Sequence, residues 1–457
     1  MRFAHVQTQR VRAVLAALVV FGSAAVAWGG NNGFVRNNAV GGISVDPSGA
    51  LAEPSAEGAA TLARLRAASL EEIPADLATP AKLRMISLKG LVAAIQGEME
   101  EGFDQDAEEL PDHIKYLAGL QRVQYVFVYP DRSDIVLAGP AEPWKIDDHG
   151  RVVGKETGLP TLRLEDLLIA LRSVDAAREV GITCSIDPTA EGRRALQEFL
   201  DRQKFFSESV VAGIARVMGD QTISLTGVPA SSHFARVMVA SDYRMKRIAM
   251  KLEPTPLPQL PSFLDLVKST RGMSGDVMPR WWLACNYEPV GTTDDGLAWE
   301  IRGPGVKAMT EDDLFTADGE IKHTGKKNPV AQRWADLMTE HYLDLSKKDP
   351  VFCDLRNIMD MCVVAALIRK EHLADKAGLD LALLAASGSD LKTAAWNTPK
   401  SVATQVSYLK RGRSWIITAS GGVDISSWEV AEKTVVDAEV GQARAAAGNT
   451  GRAWYWN

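Results

Sequence analysis

Five β-forming residues, Tyr125-Val-Phe-Val-Tyr129, are followed by a Pro-Asp-Arg-Ser-Asp turn and then by Ile135-Val-Leu-Ala138. Two such runs around a short polar turn predict an antiparallel hairpin, which excludes a purely helical bundle. Helical patterns lie on both sides of it. Ser87 is the expected N-cap of a helix over 88–101, where Leu88, Leu91, Val92 and Ile95 fall at i, i+3, i+4 and i+7. Leu164, Leu167, Leu168 and Leu171 mark another helix. Further helices are expected at about 208–218, 232–250, 329–346 and 350–372. Strands are expected at 180–185, 281–287 and 297–301, a second hairpin at 144–153 and a last one at 414–425. Gly41 to Leu51 reads as a strand, a turn and a short return. Strands and helices mix without steady βα alternation, so the expected class is α+β with antiparallel hairpins.

Residues 253–261 hold four prolines in nine positions and read as a polyproline-type linker. It is expected to part an N-terminal α+β domain, 41–252, from a C-terminal one, 262–428. A disordered lead at 28–40 and a polar helix with a disordered tail at 429–457 complete the expected organisation.

The first 27 residues read as a secretory signal peptide. Arg2, Arg10 and Arg12 make a positive start without an acid, and Ala13 to Ala27 is apolar. Ala25-Val26-Ala27 supplies the small-x-small pattern for cleavage after Ala27. Fifteen apolar residues rise about 22 Å as a helix, short of the roughly 30 Å hydrocarbon core. No cysteine adjoins the cleavage point and no Arg-Arg pair precedes it, so the general secretory route without a lipid anchor is expected. The longest later apolar run, Met361 to Ile368, is too short to span a bilayer. Periplasmic or secreted localisation, with no integral membrane segment after cleavage, is the expectation. Cleavage also removes three arginines from a chain already at −7, and so acidic a protein is not expected to bind nucleic acid.

Metal sites and cofactors are not expected. No two of His113, His149, His233, His323, His341 and His372 stand at i, i+3 or i, i+4, and no Cys-x-x-Cys occurs. Asp104-x-Asp106-x-Glu108 imitates a calcium loop, but Glu109 replaces its glycine and Lys115 its final acid; a solvated acidic loop is expected. Gly303-Pro304-Gly305 continues into an extended segment, which reads as a turn and not a phosphate loop. Cys353 and Cys362 share a helix on opposite faces and cannot bond each other. Buried free thiols are expected, with a Cys184–Cys285 disulfide as the alternative.

Two candidate sites remain. Cys184 stands at the end of a strand just before Asp187-Pro188, read as the cap and first turn of a helix. A helix N-terminus favours thiolate, and His149 or His233 is a candidate base. Trp144, Trp281, Trp282 and Trp299 lie in or beside hairpins, where exposed rings stack on sugars. The basic run Arg244, Lys246, Arg247 reads as a solvated helix face.

The stretches 125–144 (YVFVYPDRSDIVLAGPAEPW), 184–192 (CSIDPTAEG), 242–250 (DYRMKRIAM), 279–289 (PRWWLACNYEP), 295–313 (DGLAWEIRGPGVKAMTEDD) and 352–368 (FCDLRNIMDMCVVAALI) resemble a family of exported proteins of planctomycete-type bacteria, known as a domain of unknown function. The resemblance runs in order over about 80–425. It implies export and a shared fold, and it carries no catalytic residues. The first expectation is therefore an exported soluble protein, more a binding or structural component of the cell envelope than an enzyme, with envelope protein or polysaccharide as partner. The alternatives are a thiol-dependent hydrolase using Cys184, Asp187 and His149, and a glycan-binding module using the four tryptophans.

Overall fold

The computed structural model describes residues 43–457 apart from 47, 53–55, 103–105, 204–206, 271–277, 316–320, 324, 408, 412–413, 417–419 and 449–453. The expected signal peptide, the lead at 28–40 and Asp104 lie outside the described residues. The architecture is α+β: helices packed on two large mixed sheets.

The 125–138 hairpin forms as expected. Strands Tyr125–Tyr129 and Asp134–Ala141 pair antiparallel, Tyr129 opposite Asp134. They sit centrally in a seven-stranded sheet, ordered Thr434–Val436, Val290–Thr292, Ala298–Glu300, Tyr125–Tyr129, Asp134–Ala141, Ala81–Ser87, Tyr455–Trp456. The nine-stranded sheet runs Ser44–Val45, Ala50–Ala52, Ser401–Ala403, Asp220–Thr226, Ile182–Pro188, Ser420–Ile425, Met278–Asn286, Gly305–Phe315, Ile321–His323.

Strands from both sides of the proline-rich segment interleave in each sheet, and residues 37–457 cluster as one unit. The segment itself is packed: Leu257 and Leu260 are buried, and Trp334 Nε1 donates to the Pro261 carbonyl at 3.1 Å. The segment turns at 257–260, where Leu260 N donates to the Leu257 carbonyl at 3.1 Å, and the two leucines bind it to the core.

Local caps place the helices. Ser87 Oγ accepts from Gly90 N at 2.8 Å and starts helix Leu88–Glu100. Ser232 does the same for helix His233–Ala249. Helix Val351–Lys370 runs through the core, buried at nearly every position. Its even burial explains why its sequence carries no amphipathic stripe.

Two expectations about the C-terminal part are corrected. Ser414–Ile425 is not one hairpin: Ser414–Ile416 pairs back with Leu409–Arg411, while Ser420–Ile425 enters the nine-stranded sheet between Ile182–Pro188 and Met278–Asn286. Gly421 and Gly422 permit that insertion. A Cβ on Gly421 would lie 1.5 Å from the Trp281 carbonyl oxygen, and one on Gly422 would lie 1.9 Å from that of Cys184. The tail is also ordered at its end, where Tyr455–Trp456 pairs with Met85 and Ile86 and Arg84 Nε donates to Asn457 Oδ1 at 2.8 Å. Among the described residues no helix is long and apolar enough to cross a membrane.

Candidate binding site

The strand-end thiolate does not form. The strand stays extended through Pro188, alternating buried and half-buried residues, so Cys184 points into the core and Asp187 to the other face. The helix cap is Thr189, whose Oγ accepts from Gly192 N. Cys184 is 2 % exposed, and burial pushes its thiol well above the ordinary range, so thiolate is suppressed. His149 sits exposed at the tip of the 144–154 hairpin, its backbone N–H on Asp147 Oδ1. No hydrogen bond joins Cys184, Asp187 and His149. All four cysteines are free, and burial raises Cys285 to about 12 and Cys353 to about 11.

The tryptophans do not form a ring platform either. Trp144, Trp281 and Trp299 are 1, 0 and 3 % exposed. Trp281 packs edge-on between Phe263 and Trp334. Trp282 is half-buried beneath the Arg280 guanidinium.

What the fold assembles instead is a buried charge network where three helices start. Glu165 and Asp166 stand in the first turn of helix Leu164–Arg172, His233 opens helix His233–Ala249, and Asp354 lies in the first turn of helix Val351–Lys370. His233 Nδ1 meets both Asp166 oxygens, at 2.8 and 3.0 Å. Arg163 donates to Glu165 at 2.7 Å and Glu108 at 2.8 Å, while Trp396 Nε1 donates to Glu165 Oε2 at 2.8 Å. Burial lifts Glu165 and Asp166 to about 7 and Asp354 to about 6, and lowers His233 to about 4. Each shift disfavours the charged form, as desolvation requires. No three His, Cys, Asp or Glu among the described residues are placed to hold a metal ion. Glu108, expected in a solvated acidic loop, is an inward-facing member of this network. Apart from Asp354, its groups spend their hydrogen bonds on one another, and the result fastens the starts of helices Leu164–Arg172 and His233–Ala249.

From that network helix His233–Ala249 runs to a solvent-open pocket. Tyr243, Lys246, Arg247 and Met250 line it, with Ile186, Gln221, Leu252, Val402, Ala403 and Gln405. Its volume of ≈ 40 Å³ has room for a few water-sized groups. The basic run is therefore not a solvated face. Lys246 Nζ donates to Asp242 Oδ2 at 2.9 Å and to the Ile186 and Gly421 carbonyls at 3.3 Å. Arg247 donates to Glu253, Tyr243 and Gln405, and Arg244 to Asp349 and Glu253. The spacing of Asp242 and Lys246, one helical turn apart, was the available sequence signal.

A family model described as a protein of unknown function, DUF1598, matches residues 184–263. That segment holds Ile186, Gln221, Tyr243, Lys246, Arg247, Met250 and Leu252 of the pocket wall, and His233. No curated protein and no solved structure matches the chain.

Proposed function

We propose that this chain is exported by its N-terminal signal and works outside the cytoplasm as a binding component of the cell envelope, its ligand entering the pocket at the end of helix His233–Ala249. One observation carries the binding reading. The half-buried Gln221 side chain lines the pocket and has no hydrogen-bond partner among the described residues, beside an apolar surface of Ile186, Met250 and Val402. A concave apolar surface with a few convergent polar groups is the ordinary form of a small-ligand site. Export rests on the residues 1–27 and on the resemblance of 80–425 to exported proteins. The thiol-dependent alternative loses its support with the burial of Cys184.

The test uses Ala403→Trp, a substitution at an exposed rim position that fills the mouth of the pocket. Wild type and variant are screened by thermal shift against peptides and oligosaccharides from bacterial envelopes. Ligands that stabilise wild type and leave Ala403→Trp unmoved are the expected result. Equal shifts in both would place binding elsewhere and end this reading. N-terminal sequencing of the protein from a periplasmic extract is expected to start at Trp28, and a start at Met1 would refute export.

A further inference from the structure

We infer that the pocket recognises an uncharged, hydroxylated group, as at the end of a carbohydrate, and not an anion; this rests on the binding reading above. Two cationic side chains in a pocket wall ordinarily suggest a carboxylate or phosphate. Their hydrogen bonds say otherwise. An ammonium has three donors. Those of Lys246 go to Asp242 and to the carbonyls of Ile186 and Gly421. Arg247 gives three of its five N–H donors to neighbours, Nε to Glu253 and both on Nη1 to Tyr243 and Gln405. Asp242 and Glu253 balance the two positive charges. An incoming anion would lose its hydration without meeting a net positive charge.

The polar groups left over are neutral. The Tyr243 hydroxyl accepts from Arg247 Nη1 at 3.2 Å and from Gln405 Nε2 at 3.3 Å, and its own proton reaches no acceptor among the described residues. Tyr243 is only 7 % exposed, so this donor is presented to the pocket and little else. A primary amide has two N–H donors, so Gln405 keeps one hydrogen beyond the one given to Tyr243. Gln221 brings both a donor and an acceptor.

An alcohol matches this set. Its oxygen accepts from Tyr243 and Gln405 while its proton goes to the Gln221 carbonyl oxygen, and its C–H face rests on Ile186, Met250 and Val402. A carboxylate only accepts and leaves the Gln221 oxygen unpaired. An ammonium only donates and confronts the Tyr243 and Gln405 donors. Facing the buried Tyr243 donor with a second donor leaves both unpaired, which is costly, whereas a carboxylate forgoes only the hydrogen bond to the half-buried Gln221 oxygen.

Calorimetric titration of the full mature chain tests this, with glucose, N-acetylglucosamine and short neutral oligosaccharides against acetate, lactate and methylammonium. The expected result is saturable binding of a neutral sugar that Ala403→Trp abolishes. Tyr243→Phe and, separately, Gln221→Leu are each expected to weaken it at least tenfold, with circular dichroism unchanged. If acetate or lactate binds wild type more tightly than any sugar and Ala403→Trp abolishes that, the ligand class is wrong and the pocket stands. If no compound distinguishes wild type from Ala403→Trp, the pocket reading falls with the class. Sugar binding unaffected by Tyr243→Phe and Gln221→Leu overturns the recognition proposed here.

Discussion

Asp354 is a desolvated carboxyl that the fold leaves without a hydrogen-bond partner among the described residues. It stands half-buried in the first turn of its helix and makes no hydrogen bond among the described residues, and burial raises it to about 6. The native state therefore holds this proton more tightly than the unfolded chain does. Stability is reduced as pH rises from about 4 through 6, and the penalty is complete above that. Asp354→Asn removes the charge at constant shape. It is expected to raise stability by up to about 3 kcal/mol at pH 8, and to change little at pH 4. Chemical denaturation at the two pH values measures this, and an equal effect at both would show that the carboxylate is not desolvated. His233 acts in the opposite sense. Its proton affinity is lowered to about 4, so stability is lost as pH falls from 6.5 through 4. Both kinds of group oppose charging in the same interior. Thiol chemistry follows the same rule: burial raises Cys184, Cys285, Cys353 and Cys362. All four are expected to resist iodoacetamide in the native protein at pH 8 and to react on unfolding. Rapid native labelling of Cys184, read by mass spectrometry, would reopen the nucleophile reading.

At the scale of elements, what the sequence made legible is what local chemistry decides. Ser87 and Ser232 are caps because their hydroxyls serve N–H groups three residues on, and the Ser87 cap was readable. The 125–141 hairpin was readable because its turn joins its own two strands. Asp187-Pro188 misled because Asp is a good cap in isolation, while pairing with Gln221 and Thr222 keeps the chain extended to Pro188. The 414–425 pair misled because its second strand finds better partners far away in sequence. The candidate site was least legible of all. Trp396 meets Glu165 across 231 residues, and Arg247 meets Gln405 across 158. No periodicity reports such contacts. Glycine did carry a signal that went unread, since Gly421-Gly422 marks a strand squeezed by both neighbours. Gly422→Ala is expected to cost more than about 3 kcal/mol or to prevent folding, because its Cβ would lie 1.9 Å from the Cys184 carbonyl oxygen. Gly388→Ala, where nothing lies within 4 Å, is the matched control and is expected to be neutral within about 0.5 kcal/mol. Similar stability for the two variants, by urea unfolding, would show that the strand does not insert as described.

For the whole molecule, the interleaved sheets decide whether the proline-rich segment is a hinge or a seam. A hinge leaves two halves with separate cores. Here the nine-stranded sheet places Ile182–Pro188 and Asp220–Thr226 between Ser401–Ala403 and Ser420–Ile425, so each half supplies strands to the interior of the other. The seven-stranded sheet likewise joins Tyr125–Tyr129 to Ala298–Glu300. Cutting at 253–261 would expose those strand edges and divide one hydrophobic core, and neither fragment could satisfy its backbone groups alone. Residues 41–252 and 262–457 are therefore expected to be aggregated or unfolded when expressed separately, and to yield soluble protein only when produced together. The intact chain is expected to unfold in one cooperative transition, with tryptophan fluorescence and far-ultraviolet circular dichroism coinciding. Sharp, dispersed amide resonances from 41–252 alone would establish an independent domain. In that case the pairing of Asp220–Thr226 with Ser401–Ala403, and the pocket that Gln221 and Gln405 close between them, would be a contact between domains and not part of one core.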